Sequence, residues 1–276
     1  MISIIICSRI SDISVELKQN IADTIGCGFE LVVIDNSGND SSIFQAYNEG
    51  VKHSKGEILC FVHEDVLFRS KDWGATIEQH FNDDEQIGVI GFAGTHFLPD
   101  TPMYWYSSPF VSQRNLNNDG GVVEEHFHED WFGEKNTIEV VAVDGFCFFA
   151  RKSLFNSISF DDKTFKGFHM YDMDICMQVI ETGSKVYVCR DVLAEHCWSE
   201  QKQISKEGGE LFECNLELFT QKWHDSLPIH KGLDLPEELF SRVNKLCRQS
   251  YDAKQVRKSK AYKLGKAILS SLGWIK

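Results

Sequence analysis

Three short apolar runs, regularly spaced near the N-terminus, constrain the fold of this chain more than any other feature. They are Ser3–Cys7, Glu30–Ile34 and Glu57–His63. Their continuous β-branched character is typical of strands that are covered on both faces. Amphipathic helical patterns at 12–24 and 42–53 lie between them. Because strands that alternate with helices form right-handed βαβ units, the sequence predicts an α/β fold with a mostly parallel central sheet.

The later segments continue this alternation after one interruption. Residues 94–138 are rich in aromatic residues, Asn and Gly, and they predict loops with a hairpin around 119–121. We expect Asp12 to cap the first helix and Gly183 to end a later one. The other predicted elements are helices at Trp73–Phe81, at about Tyr171–Thr182 and beyond Ser199, and strands at Gly88–Phe92, within Ile138–Arg151 and at Lys185–Cys189.

Composition excludes some classes of protein. The formal net charge of −13 argues against nucleic-acid binding, because proteins that bind nucleic acids neutralise phosphates with Lys and Arg. The nine cysteines form no CxxC pair and several lie in apolar runs, so we expect buried, reduced thiols. The sequence shows no leader pattern and no apolar run of roughly 20 residues. These features predict a cytoplasmic protein.

The C-terminal tail differs in charge from the rest of the chain. Residues 253–276 contain seven Lys or Arg and no Asp or Glu, and the apolar residues from Leu264 to Ile275 are spaced for one helical face. This pattern is typical of an amphipathic helix on an anionic membrane surface. The alternative is a terminal helix that packs its apolar stripe on the domain and leaves its lysines in solvent.

Polar side chains follow each of the first three predicted strands. The three endings are Ser8-Arg9, residues 35–38 and His63-Glu64-Asp65. Because ligands of parallel sheets bind at the carboxyl ends of strands, the endings predict a single crevice. The third ending is costly unless a cation neutralises it, and Mg²⁺ or Mn²⁺ bound to carboxylates can bridge substrate phosphates. An acidic surface turn is the alternative.

Five motifs follow one another along the chain. The first three are ICSR, VVIDNSGND and AYNEGVKHSKGEILCFVHEDV, and the last two are VDGFCFFARKSLF and FHMYDMDICMQVIETGSKVYVCRDVLAEH. In this order they resemble the family 2 glycosyltransferases of the GT-A fold, most closely the streptomycin-biosynthesis-type glycosyltransferase-like subgroup, over about residues 1–198. The resemblance implies a GT-A domain at 1–199, with a nucleotide-binding half at 1–93 and an acceptor-side half at 94–199. A helical extension would follow at 200–276.

The resemblance also implies a reaction and a donor site. The chain would transfer a sugar from a nucleoside-diphosphate sugar to an acceptor hydroxyl, with a divalent metal ion, Mn²⁺ or Mg²⁺, at the diphosphate. Asp35 would contact the nucleobase, and Ser8 and Arg9 would flank the base and ribose. Asn48 would support the pocket, and Glu64 would lie near the ribose.

The metal ligands implied by the resemblance are Asp65 and His196. His196 falls where some members of the family use a histidine as a further ligand. His63 replaces an acid that is often found in the family's DxD-type motif. This departure leaves open which of the three residues touches the metal.

Asp172 would be the catalytic base, which removes the proton of the acceptor hydroxyl in a single displacement with inversion. Tyr171 stands where many relatives carry the first acid of a pair. We expect backbone N–H groups at the helix N-terminus to keep Asp172 ionised, and Asp174 to cap or position the helix. Alternatively, Asp172 is a capping carboxylate without a catalytic role.

Three further segments have less specific patterns. Asp144 could bind donor-sugar or acceptor hydroxyls, and Gly145 could let the backbone approach a ligand closely, although a plain turn is the alternative. The acids and histidines at 124–130 are explained by an exposed hairpin rather than a metal site. The aromatic residues at 103–108 predict an acceptor wall or a loop core.

The acceptor is predicted only as a carbohydrate or lipid-linked compound, in surface polysaccharide or glycoconjugate synthesis. A nucleotidyltransferase shares the sheet and the metal, but it usually has a Gly-rich loop after the first strand, and SRISDIS contains no glycine. A catalytically silent sugar- or nucleotide-binding protein is supported by His63 and Tyr171. The presence of Asp65, Asp172 and His196 together favours an enzyme.

Overall fold

The computed structural model describes residues 1–116, 121–126, 135–197 and 206–258. The helices are α1 (Val15–Thr24), α2 (Ile43–His53), α3 (Trp73–Asp83), α4 (Tyr171–Glu181), α5 (Lys206–Lys222) and α6 (Glu237–Lys258). The first strands are β1 (Ile2–Ser8), β2 (Phe29–Asp35), β3 (Ile58–Val62), β4 (Val66–Phe68), β5 (Ile87–Gly91), β6 (Ala93–Thr95), β7 (Phe97–Leu98) and β8 (Val111–Leu116). The later strands are β9 (Val122–His126), β10 (Thr137–Val140), β11 (Ala142–Val143), β12 (Cys147–Arg151), β13 (Lys185–Cys189), β14 (Ala194–His196) and β15 (Ile229–His230).

The central sheet has seven strands in the order β10-β13-β5-β12-β3-β1-β2. β1, β2, β3, β5 and β13 run parallel, whereas β10 and β12 run antiparallel to their neighbours. Every residue of β3 and β5 is buried. Strands that are covered on both faces need apolar runs without alternation, as these two strands have. The strand directions confirm the predicted α/β fold with a mostly parallel sheet.

Side-chain hydrogen bonds place the helix ends. Ser14, not Asp12, caps α1, because the Ser14 hydroxyl accepts a hydrogen bond from the Leu17 N–H at 3.1 Å. The Asp12 prediction was therefore wrong, and Asp12 pairs with Lys18 instead. At the far end of α4, Gly183 has a φ of +85°, a left-handed conformation that favours glycine and ends the helix as predicted.

A second sheet, in the order β11-β6-β8-β14-β4, joins the two halves of the chain. Its β14 pairs antiparallel with β4, with His196 opposite Val66. This pairing brings residue 196 next to residues 63–65, which connect β3 to β4. The predicted hairpin is confirmed by the antiparallel pairing of β8 and β9, and its turn at 117–120 lies outside the described residues.

The C-terminal helices pack on the domain. Leu216, Phe219 and Trp223 are buried in the main core at and just beyond α5. Phe240 of α6 stacks on Phe97 in a second core, and β15 pairs with β7. The first part of the basic tail continues α6, and residues 259–276 lie outside the described part of the chain. Among the described residues, no helix has the length and apolarity that a membrane span needs.

The cysteines differ in burial. Five are buried and Cys214 is exposed, so the expectation of buried thiols holds for only part of the set. Burial raises the pKa of the Cys176 and Cys189 thiols well above the ordinary value. These two thiols are therefore protonated at neutral pH.

Candidate active site

The predicted strand ends meet at one edge of the central sheet. Ser8 and Asp35 are register partners at the ends of β1 and β2. The adjacent β3 runs parallel to β1 and leads directly into His63, Glu64 and Asp65. The parallel order of these three strands therefore produces the crevice that the sequence predicts.

Glu64 connects the first and third strand ends. Its carboxylate accepts hydrogen bonds from the Ser8 hydroxyl at 3.0 Å, the Arg9 backbone N–H at 2.9 Å and the Arg9 Nε at 2.7 Å. The Arg9 side chain is more than half exposed, whereas that of Glu64 is largely buried. Charge-assisted hydrogen bonds of this kind hold the carboxylate in one orientation and leave the guanidinium facing solvent.

Asp35 and Asn48 occupy different environments. Asp35 is exposed and accepts a hydrogen bond from the Ser37 N–H at 2.9 Å, which lowers the pKa of its carboxyl group. The Asn48 amide bonds both polar groups of the Phe160 backbone, at 2.8 and 3.0 Å. These bonds tie α2 to the segment before α4, so Asn48 shapes the domain from behind the crevice rather than presenting its amide at the strand ends.

His63, Asp65 and His196 form a cluster that fits a divalent cation. Each offers one potential ligand atom, and the three atoms lie within 4.8 Å of one another. His196 Nε2 is 3.3 Å from Asp65 Oδ1, and the His63 and His196 ring centroids are 5.5 Å apart. Imidazole nitrogens and carboxylate oxygens are common metal ligands. The described residues contain one other group of this kind, at His80, Cys189 and Asp191.

Aromatic residues fix the two imidazoles. The Phe146 ring stacks on His196 with centroids 5.1 Å apart and an interplanar angle of 10°. The Tyr171 hydroxyl lies 2.8 Å from His63 Nε2, and the Phe168 ring lies 5.3 Å from the His63 ring. The cluster is thus supported by Phe146, just before β12, by Tyr171 of α4 and by Phe168 in the loop before α4.

Asp172 is buried at the N-terminus of α4. Its Oδ2 accepts a hydrogen bond from the Gly145 N–H at 3.0 Å, and its Oδ1 accepts one from the Met173 N–H at 2.9 Å. Burial, together with the nearby Asp144 carboxylate, nevertheless raises the pKa of Asp172 to about 7. Desolvation therefore outweighs the backbone N–H groups that we expect to keep Asp172 ionised, and the carboxyl group is only partly ionised at neutral pH.

Asp144 lies beside Asp172 and the metal-ligand cluster. Burial raises the pKa of Asp144, while the Phe146 N–H, which donates to it at 2.9 Å, and the His196 charge act in the opposite direction. Tyr104 and Trp105 lie near the Asp144 carboxylate and also lower its pKa. The aromatic loop predicted at 103–108 thus delivers two side chains to this crevice, and Trp105 is almost fully buried there.

Gly145 is required by a protein contact. A Cβ atom at this position would lie 2.2 Å from the Tyr171 hydroxyl. The space beside this glycine is occupied by Tyr171, and the Gly145 N–H orients Asp172, so the approach of a ligand to Gly145 stays a prediction. Asp174 has the positioning role expected of it, since its buried carboxylate accepts from Trp223 Nε1 at 2.8 Å and pairs with Lys222.

The sequence patterns miss the roles of two residues of the site. They identify Tyr171 only as the replacement of an acid, and they do not distinguish Phe146 from core aromatics. Hydrophobic periodicity gives no signal for these roles, because they depend on contacts between residues that are far apart in sequence. Tyr171 and His63, for example, are separated by 108 residues. At 124–130, Glu124 pairs with Arg114 and Arg190, while 127–130 lie outside the described residues.

A mixed central sheet of seven strands, flanked by helices, matches the fold of the GT-A glycosyltransferases. The model of a glycosyltransferase-like family matches residues 3–222, and the chain belongs to this family. It is a glycosyltransferase. The match extends through α5, beyond the segment in which the motifs lie. The comparison with curated proteins finds no match.

Solved structures show the same fold at low sequence identity. TarS 1–349 from S. aureus aligns with a TM-score of 0.54 and 16% identity over 94% of this chain and 74% of that one. The mannosyltransferase PcManGT from Pyrobaculum calidifontis aligns with a TM-score of 0.52 and 11% identity over 100% and 81%. GalNAc-T7 aligns with a TM-score of 0.52 and 12% identity over 96% of this chain and 58% of its own.

Proposed function

We propose that this chain transfers a glycosyl group from a nucleoside-diphosphate sugar to an acceptor hydroxyl, with inversion and with the help of a divalent metal ion. One observation carries the proposal. A cluster suited to a cation and a buried carboxylate with a pKa near 7 lie in one crevice at the strand ends. A leaving diphosphate needs the first, and an acceptor hydroxyl that loses its proton needs the second.

The donor is proposed to lie along the ends of β1 and β2. Asp35 would accept a hydrogen bond from the nucleobase, and the Glu64-bound Arg9 with Ser8 would border the ribose. Solved neighbours support a nucleoside-diphosphate sugar: TarS is in complex with UDP-GlcNAc, and PcManGT with GDP-Man and Mn²⁺. Because their bases differ, we assign the donor class and not its base.

The metal is proposed to bind at Asp65 and His196, whose ligand atoms already lie 3.3 Å apart. A bound divalent ion supplies positive charge where the diphosphate leaves. The protein's own part is to hold these ligands in place. β14 pairs with β4 beside Asp65, and Phe146 covers one face of the His196 ring.

Asp172 is proposed to take the proton from the acceptor hydroxyl. Its pKa of about 7 suits a general base, since the group is substantially ionised at neutral pH and still basic enough to accept a proton. The Gly145 and Met173 N–H groups fix the carboxylate. Asp144, with Tyr104 and Trp105 beside it, is proposed to bind sugar hydroxyls next to this base.

Thermal unfolding with a panel of nucleoside diphosphates and nucleotide sugars, each with and without Mn²⁺ or Mg²⁺, tests the proposal. A ligand at 100 times its Kd stabilises the folded protein by about 2.7 kcal/mol, which is a visible rise in Tm. We expect a rise with one nucleotide that depends on the cation and is lost in Asp65→Asn. An unchanged Tm with every nucleotide would contradict the donor assignment.

Two finer points of the proposal concern the acceptor and the tail. A carbohydrate or lipid-linked acceptor, in surface polysaccharide or glycoconjugate synthesis, remains a prediction, as does membership of the streptomycin-biosynthesis-type subgroup. We propose that the basic tail contacts anionic membranes. A chain lacking 259–276, which retains all of α6, should lose binding to phosphatidylserine vesicles in a sedimentation assay; equal binding by both chains would contradict this.

A further inference from the structure

The two positions at which this chain departs from the family's acidic pattern are in contact. His63 stands in place of an acid after β3, Tyr171 stands in place of an acid at the start of α4, and the Tyr171 hydroxyl lies 2.8 Å from His63 Nε2. Building on the proposed function, we propose that His63 is a third protein ligand of the metal ion, oriented by Tyr171, and that it shifts the site's preference from Mg²⁺ towards transition metals such as Co²⁺.

Position is the first argument. The potential ligand atom of His63 lies within 4.8 Å of those of Asp65 and His196, a spread that one cation can bridge. The His63 backbone is fixed as well, because its N–H donates to the Phe146 carbonyl at 2.9 Å just after β3. With a bound ion, His63, Asp65 and His196 would supply three protein ligands and would leave its other positions to diphosphate oxygens and water.

Orientation is the second argument. A histidine that binds a metal through one ring nitrogen usually donates a hydrogen bond from the other to an oxygen, which selects the tautomer and the ring plane. In the proposed arrangement His63 Nε2 donates to the Tyr171 hydroxyl, and the neutral ring presents the lone pair on Nδ1 to the cation. The two residues then form the usual pair of a ligand and its supporting oxygen.

Tyr171 is held firmly enough for this role. Its side chain is 3% exposed and its ring packs edge-on against Tyr47 and Phe44, with centroids 5.6 and 6.3 Å away. Gly145 provides the space for its hydroxyl, since a Cβ there would overlap it. The phenol therefore has a single position, next to both His63 and the segment that orients Asp172.

Ligand chemistry gives the consequence for metal choice. Mg²⁺ favours carboxylate and water oxygens in near-ideal octahedral geometry, whereas imidazole suits later divalent ions, for which affinity rises from Mn²⁺ to Co²⁺. A site with two imidazoles and one carboxylate therefore favours Co²⁺, then Mn²⁺, over Mg²⁺. An aspartate at position 63 would reverse part of this preference.

Direct metal binding tests the assignment without an activity assay. The full chain, saturated with the nucleoside diphosphate that raises its Tm, is titrated with Co²⁺ by visible absorption, and Mg²⁺ is used as competitor. We expect Tyr171→Phe to weaken Co²⁺ binding by roughly 10–100-fold, the range seen for residues that support a ligand, and His63→Ala, which removes the ligand itself, to weaken it at least as much. His63→Asp should retain a bound ion but lower the ratio of Co²⁺ to Mg²⁺ affinity. Circular dichroism checks that each variant is folded.

His80→Ala is the matched control, because it removes an imidazole from the other possible metal cluster. His80→Ala should leave Co²⁺ affinity unchanged. A loss of Co²⁺ affinity in this variant would place the ion at His80, Cys189 and Asp191 and would overturn the assignment. Unchanged Co²⁺ affinity in both His63→Ala and Tyr171→Phe, or an unchanged ratio in His63→Asp, would overturn it too. These results leave the proposed function intact. Absence of cation binding to the unmodified chain would instead remove the metal-dependent function itself.

Discussion

Replacing Asp172 with Asn tests the proposed base with the smallest change in shape. The carboxylate accepts one hydrogen bond at each oxygen, from Gly145 and from Met173, whereas an amide offers only one acceptor oxygen. One N–H then faces an NH₂ group, and an unsatisfied buried donor costs about 1–3 kcal/mol. Removal of a buried charge beside Asp144 offsets part of this cost, so the variant should remain folded.

The effect on catalysis should be larger than the effect on stability. A positioned general base contributes roughly 10²–10⁴-fold, which is about 2.7–5.4 kcal/mol of activation free energy. The assay follows release of the nucleoside diphosphate from the donor in a single turnover, with and without acceptor. Nucleotide binding is measured in parallel by thermal shift, and we expect it to be retained because the donor-side residues are unchanged.

Asp174→Asn is the matched control, because it makes the same substitution on the same helix at another buried carboxylate. The Asp174 carboxylate accepts hydrogen bonds from Lys222 and Trp223, whereas the Asp172 carboxylate accepts one from the Gly145 N–H. Its replacement should lower Tm and leave turnover per folded molecule unchanged. If Asp172→Asn keeps normal turnover, the base assignment is refuted; if both variants lose turnover equally, integrity of α4 explains the loss and the assignment also fails.

Three further predictions follow from the site. First, kcat/KM should rise as pH increases through about 7, because Asp172 must be ionised to act as a base. The same raised pKa means that the folded chain binds more protons than the unfolded chain between about pH 4 and 7, so the contribution of Asp172 to the free energy of unfolding falls as pH rises across that range. Asp172→Asn should flatten both pH profiles. Glu64→Gln weakens the contacts to Arg9 and should raise the Kd for nucleotide, measured by calorimetry, with little change in Tm; an unchanged Kd would contradict the donor site. Gly145→Ala places a methyl group against Tyr171 and should lower the free energy of unfolding by about 1–3 kcal/mol in a denaturant titration, whereas an unchanged midpoint would show that the ring can move.

The sheet could be predicted from sequence because its information is local. The β-branched runs that became β1, β2 and β3 needed no knowledge of their neighbours, and β13 has the bounds that were predicted. The prediction of the α1 cap was wrong because Asp12 and Ser14 both precede the helix and both are residue types that cap helices. Only the hydrogen bond to Leu17 distinguishes them.

The site was predictable in part for the same reason. Strand-end residues are placed together by sheet topology, so the proximity of Glu64 and the end of β1 follows from the order of elements. The state of Asp172 does not, because its pKa depends on burial that the tertiary packing alone determines. The pairing of His63 with Tyr171 likewise needs the folded chain.

The ion pair that closes over Asp174 has a consequence for biosynthesis. Its carboxylate is 1% exposed, yet its partners Lys222 and Trp223 are 48 and 49 residues further along the chain. During translation, α4 therefore leaves the ribosome well before the side chains that compensate its buried charge. Because an unpaired carboxylate is costly in an apolar interior, final packing of α4 must await that later segment. A nascent chain that reaches only residue 199 contains every predicted site residue. It lacks Lys222 and Trp223, which bind the Asp174 carboxylate and so stabilise the helix that carries Asp172.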